Sequence, residues 1–138
     1  MRKKVYIETS IPSFYYETRS TPDMVARREW TREWWDQHRE HYDLVTSAAV
    51  TEELSKGEYR SKDQALAIIA PLPLLPTTSA IDAIVATYLA HYVMPRQPLG
   101  DALHLALTSY YGCHFLLTWN CVHLANANKF EHIRHVNT

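Results

Sequence analysis

Three carboxylates stand where packing alone does not account for a polar side chain. Glu8 ends the apolar run Val5-Tyr6-Ile7, Glu53 precedes Leu54 in segment 47–54, and Asp101 opens Asp101-Ala102-Leu103-His104-Leu105-Ala106. Carboxylates gathered at one point repel one another, and a hard divalent cation relieves that repulsion. With little Cys or His beside them, these oxygen donors suit Mg2+ or Mn2+ rather than zinc. A cation held in this way activates water and stabilises charge on phosphoryl oxygens, which is the chemistry of phosphodiester hydrolysis without a covalent intermediate.

Each acid also has a plainer reading. Glu8 fits a solvated residue just past a strand, and Asp101 fits a helix N-cap, a role that does not prevent metal binding. Glu53 fits an exposed helix position and competes with Glu52, although adjacent helix positions point in different directions, so only one of the two faces a given site. Thr9 and Ser10 are candidates for positioning water or substrate beside the metal; equally, Ser10 fits a cap on the turn into Pro12. His104 lies on a mostly apolar helix and reads as a packed, hydrogen-bonded histidine rather than a ligand. His132 and His135 are three apart but lack a third ligand, and Cys113 with Cys121 makes no zinc pattern.

The elements that must position these residues alternate between strand and helix. Val5-Tyr6-Ile7, Leu44-Val45-Thr46 and Phe115-Leu116-Leu117-Thr118 read as buried strands. Thr21-Pro22-Asp23 starts a helix running to about His41, with Val25, Trp30 and Trp34 near helical spacing. Trp30 and Trp34 are expected in the core. The wider aromatic region, with Tyr15, Tyr16, Trp35 and interspersed arginines, reads as core plus interface rather than a base-stacking surface. Ser47 is expected to cap a short helix ending at Gly57, and Ser61 with Gln64 and Ser79 with Asp82 to form capping boxes for the next two helices. Leu74-Leu75 reads as a minor strand among prolines. A helix from Asp101 stops near Gly112, and a last one covers about 122–136. This order predicts a parallel sheet with helices on both faces, a three-layer α/β/α sandwich that binds ligands beyond the carboxyl ends of its strands.

The chain has 138 residues, 46% of them apolar and 21% charged, with a formal net charge of −1. One globular domain over 1–138 follows, large enough to form a core without disulfides. The net charge makes no global case for nucleic acid, although Arg19, Arg27, Arg28, Arg32 and Arg39 fall in one early, mixed-charge segment. Only three glycines are present, and none builds a phosphate-cradling loop, which argues against nucleotide-fuelled or dinucleotide enzymes. Two cysteines, no leader pattern and an apolar run at 65–75 broken by prolines predict a cytoplasmic protein without a membrane span.

On Val5-Tyr6-Ile7-Glu8-Thr9-Ser10, on segment 47–54, on Asp101-Ala102-Leu103-His104-Leu105-Ala106 and on Leu116-Leu117-Thr118-Trp119-Asn120, the chain resembles PIN-domain proteins, the fold of ribonuclease toxins in VapBC-type toxin–antitoxin pairs. The resemblance covers nearly the whole chain. It implies metal-dependent cleavage of RNA, with Glu8, Glu53 and Asp101 holding Mg2+ or Mn2+ and Asn120 assisting. It also favours Glu53, the acid directly before Leu54, over Glu52. Many relatives dimerise and are silenced by a small antitoxin protein, so a homodimer and such a partner are expected.

Three departures from the family pattern stand out. Glu8 replaces the usual Asp, one methylene longer and thus about 1.5 Å further out. Asn120 replaces a frequent Asp; it offers an amide oxygen without charge, and reads equally as a loop residue. The family usually adds a last short strand where this sequence stops at Thr138, after His135-Val136-Asn137, so either a truncated chain or a sheet edge completed otherwise is expected. These departures feed the rival expectation, a catalytically weak or inactive PIN-like module that binds protein or RNA. A metal phosphoesterase acting on DNA or small phosphates is a third.

Overall fold

The structure, a computed structural model, describes residues 2–90 and 99–119, with backbone alone at 88, 89 and 99–101. Strand β1 (Lys3–Ile7) leads into α1 (Ser10–Tyr15) and α2 (Pro22–His38), which closes in a 3-10 turn at Arg39–His41. Then follow β2 (Tyr42–Val45), α3 (Ala48–Ser55), α4 (Lys62–Ile69), α5 (Ser79–Ala90), α6 (Leu99–Tyr110) and β3 (Phe115–Leu117). Among the described residues the architecture is α/β, a three-stranded parallel sheet with six α-helices, compatible with a three-layer sandwich. No helix among them is long and apolar enough to cross a membrane.

β1 is the middle strand, in the order β2-β1-β3. Its residues alternate between faces, as a strand's must. Val5 and Ile7 pack with Ile11 of α1 and Trp35 of α2, while Tyr6 packs on the other side with residues of α3, α4, α5 and α6. Buried on both faces, β1 needs the continuous apolar run that its sequence shows. Past the end of β2, Thr46 forms a single parallel bridge to Leu74, with Thr46 N–H to the Pro73 carbonyl at 3.0 Å and Leu75 N–H to the Thr46 carbonyl at 2.8 Å. The minor strand expected at Leu74-Leu75 is thus reduced to one bridge, since Pro73 and Pro76 leave no N–H to extend it. Gly112, at φ 63°, ends α6 in the left-handed region, as expected of glycine there; Gly57 is also left-handed, at φ 74°, but α3 has already given way to extended backbone at Lys56.

The capping expectations fare differently. Ser47 occupies the N-cap position of α3 with extended backbone, but its hydroxyl makes no cap. Ser61 precedes α4, also without a side-chain cap. Ser79 already lies inside α5, and the Asp82 N–H bonds the Thr78 carbonyl at 3.1 Å, so the helix starts one residue early for the expected box.

Of the two tryptophans expected in the core, Trp34 is half-buried against it and only Trp30 requires correction. Trp30 is 60% exposed, whereas the buried positions of α2 are Thr31 and Trp35. Both pairs, 30/34 and 31/35, have helical spacing, and a polar residue at 31 disguised the inward stripe. Thr31 is tolerated there because its hydroxyl donates to the Arg27 carbonyl at 2.6 Å and accepts the Trp119 indole N–H at 2.8 Å. The helix expected over 122–136 lies outside the described residues. Truncating Trp35 to Ala is expected to cost about 3–5 kcal/mol and Trp30 to Ala within about 0.5 kcal/mol, measured as urea-unfolding free energies.

Candidate functional site

The parallel register places the site. Ile7 pairs with Leu117, and the next residue continues the ladder through Glu8 N–H to the Leu117 carbonyl at 3.2 Å. Glu8 and Thr118 therefore emerge side by side at the carboxyl ends of adjacent strands. Glu8 is buried, only 6% exposed. Its Oε1 accepts the Thr118 hydroxyl at 2.6 Å, the Ser10 hydroxyl at 2.5 Å and the Ser10 N–H at 3.1 Å. Ser10 Oγ in turn accepts the Trp119 N–H at 2.8 Å. Ser10 thus ties a carboxylate down rather than serving only as a turn cap.

Glu53 comes from α3, one position before buried Leu54, while Glu52 is exposed. Its Oε1 accepts the Thr9 hydroxyl and lies 2.7 Å from His104 Nε2. His104 is fully buried in α6, and its Nδ1 lies 2.7 Å from the Tyr6 hydroxyl, which is 2.8 Å from Ser47 Oγ. One donor order satisfies the whole chain: Ser47 O–H to Tyr6, Tyr6 O–H to Nδ1, and Nε2–H to the carboxylate. Burial pushes the Tyr6 phenol up, and the charges of Glu53 and Glu8 add to that shift despite the Ser47 hydrogen bond, so Tyr6 remains a donor. Burial alone would raise Glu53 as well. The hydrogen bonds from His104 and from the Thr9 hydroxyl outweigh it, and the Glu53 carboxyl lies below its ordinary value.

Glu8, Glu53 and His104 each present one ligand atom within 4.8 Å of the others, a buried group able to hold a metal ion. The oxygens suit a hard cation best. His104 Nε2 is already engaged with Glu53, so joining a coordination shell would cost that hydrogen bond. Glu8 Oε2 and Glu53 Oε2, by contrast, make no hydrogen bond among the described residues.

Of the residues singled out in the sequence, the structure brings together Glu8, Glu53, Thr9 and Ser10. Asp101 is placed by its backbone in the first turn of α6, three residues before His104; its side chain lies outside the described residues, as does Asn120. Tyr6, Ser47, Thr118 and the bridging role of His104 escaped the sequence reading. A signal existed for Tyr6, which is two residues before Glu8 on a strand and so shares its face. No family model matches the chain, no curated protein matches it, and no solved structure matches it.

Tyr6→Phe removes the middle of the hydrogen-bonded chain and leaves Ser47 and His104 Nδ1 buried without their partner, and unfolding measurements should show a loss of about 1–3 kcal/mol. The depressed Glu53 value contributes stability that is complete above the ordinary glutamate value of 4.5 and is lost as pH falls through the lower folded value. A urea-unfolding series over acidic pH should therefore show stability falling below that point, and a shallower fall in Glu53→Gln.

Proposed function

We infer that the chain is a metal-dependent endoribonuclease of the PIN type. One observation carries this: two carboxylates from separate elements meet beyond the carboxyl ends of a parallel sheet, each fixed through one oxygen and keeping the other without a described partner. The choice of RNA rests on the motif resemblance. Glu8 and Glu53, with Asp101 from the start of α6, would hold Mg2+ or Mn2+, and Asn120 would assist. When bound, the cation supplies water activation and charge stabilisation at the phosphate.

The chain's own residues supply order. Ser10 and Thr118 orient Glu8, and Thr9 and His104 orient Glu53, so both carboxylates are fixed before any ligand arrives. Fixed oxygens of this kind lower the reorganisation needed at the reacting centre. A cytoplasmic toxin of a toxin–antitoxin pair, dimeric and held in check by a small partner protein, is the biological setting that fits the resemblance.

A second reading has its own observation. Both Oε1 atoms and His104 Nε2 are satisfied within the protein, as befits a PIN-like binding module with a self-contained polar core. Mn2+ calorimetry beside cleavage of mixed RNA separates the two. The nuclease reading expects saturable Mn2+ binding by the parent. In Glu53→Gln and Asp101→Asn, Mn2+ affinity and cleavage should both fall, by more than the roughly 10- to 100-fold typical of outer-shell changes, with the circular-dichroism spectrum unchanged. A well-folded parent that neither binds Mn2+ nor cleaves would establish the module instead.

A further inference from the structure

Glu53 and Thr9 form one end of a cleft that continues past the acidic site. That cleft also includes Arg19 and Arg60, and it shares Tyr16, Glu17, Thr18, Arg60 and Ser61 with a second cleft reaching Arg28, Arg32 and Gln64. The two make one trough, from Glu53 of the candidate site to the flank of α2. Arg28 and Arg32 are four residues apart on α2 and so lie on the same side of that helix.

The charges along this trough do not cancel. Glu17 is the trough's acid beyond Glu53, and Arg19 grips it with Nε and Nη2, each at 2.8 Å. That grip, with further help from backbone N–H groups, holds the Glu17 carboxyl down at about 2. Arg19 and Glu17 thus neutralise each other. Arg60 is exposed and has no hydrogen-bond or ion-pair partner among the described residues. Arg32 donates Nε to the Tyr15 carbonyl at 2.7 Å and lies over the Tyr15 ring at 5.4 Å, and its two Nη groups make no hydrogen bond among the described residues. Among the described residues Arg28 meets only Glu29, itself 60% exposed, and, at 3.4 Å, the Glu17 carbonyl. Exposed ion pairs of that kind are weak and readily exchanged.

We propose that this trough is the path of the RNA backbone leaving the acidic site, with Arg60, then Arg28 and Arg32, contacting successive phosphates. Guanidinium groups match phosphate oxygens in pairs, and a row of three with uncommitted donors suits a polyanion rather than a single small anion. The proposal rests on the nuclease reading for its substrate. It adds a direction to that reading: the strand runs from Glu53 toward α2.

The test is fluorescence anisotropy of a labelled single-stranded RNA in EDTA over a salt series, paired with Mn2+-dependent cleavage of unlabelled RNA. Arg60→Glu is the cleanest variant, because no described hydrogen bond or ion pair depends on that side chain. Arg28→Ala with Arg32→Ala probes the far end, and Arg39→Ala removes a charge elsewhere on the surface. Trough variants should bind severalfold more weakly, with the log–log salt slope shallower by about 0.7 for each phosphate no longer engaged, and Arg39→Ala should match the parent. Unchanged binding in Arg60→Glu, or equal weakening in Arg39→Ala, overturns the trough even if the parent cleaves RNA, in which case the nuclease reading stands. Weakened binding confined to the trough variants in a parent that never cleaves supports the trough and overturns the nuclease. A parent that binds no RNA overturns the trough together with its substrate.

Discussion

A phenol hydroxyl in the middle of the core is the constraint on which the rest depends. Tyr6 sits on the central strand, fully buried, and its oxygen must find hydrogen-bond partners there. It finds them in Ser47, at the start of α3, and His104, in α6. Three elements far apart in the chain are thereby held to one register. An apolar residue at this position would pack against the same helices but would not say how far along its axis α6 must sit. Hydrogen-bond geometry says so, because Nδ1 must meet the phenol while Nε2 meets Glu53.

This arrangement makes the acidic site an outgrowth of the core rather than an addition to its surface. Glu53 is steered by a histidine whose own ring is fixed from beneath by the strand that carries Glu8 two residues later. The cost of burying Tyr6, Ser47 and His104 is offset by mutual satisfaction, and their order emerges at the surface as a carboxylate with a defined direction. The arginines of α2 and the loop before α4 lie beyond that point, where charges remain solvated.

The fold was legible wherever one local pattern had a single structural solution. The run Val5-Tyr6-Ile7 can be buried on both faces only as a central strand, and Thr21-Pro22-Asp23 can begin little other than a helix. The inward face of α2 was not legible, since two stripes share the same spacing and the true one includes Thr31, whose partners come from Arg27 and distant Trp119. Serine caps were misjudged for a related reason. Ser47 has the backbone of a cap, but a tertiary partner claims its hydroxyl. At the site, the acids could be named because a carboxylate beside an apolar strand is conspicuous. Thr9 and Ser10 could be singled out beside them, though for water or substrate rather than for the acids; Tyr6, Thr118 and the bridging role of His104 could not, because Tyr, His and Thr are ordinary core and strand residues until the fold shows what they touch.

Thr9 and Ser10 are consecutive, yet they hold carboxylates from different elements: Ser10 its near neighbour Glu8, Thr9 the distant Glu53. The two acids are therefore held from hydroxyls on neighbouring residues, joined by one rigid peptide unit. Thermal breathing between α3 and the sheet would widen a gap set by packing alone. Here the turn after β1 holds one oxygen of each acid, so the gap between α3 and the sheet is bridged by a hydrogen bond at the site itself.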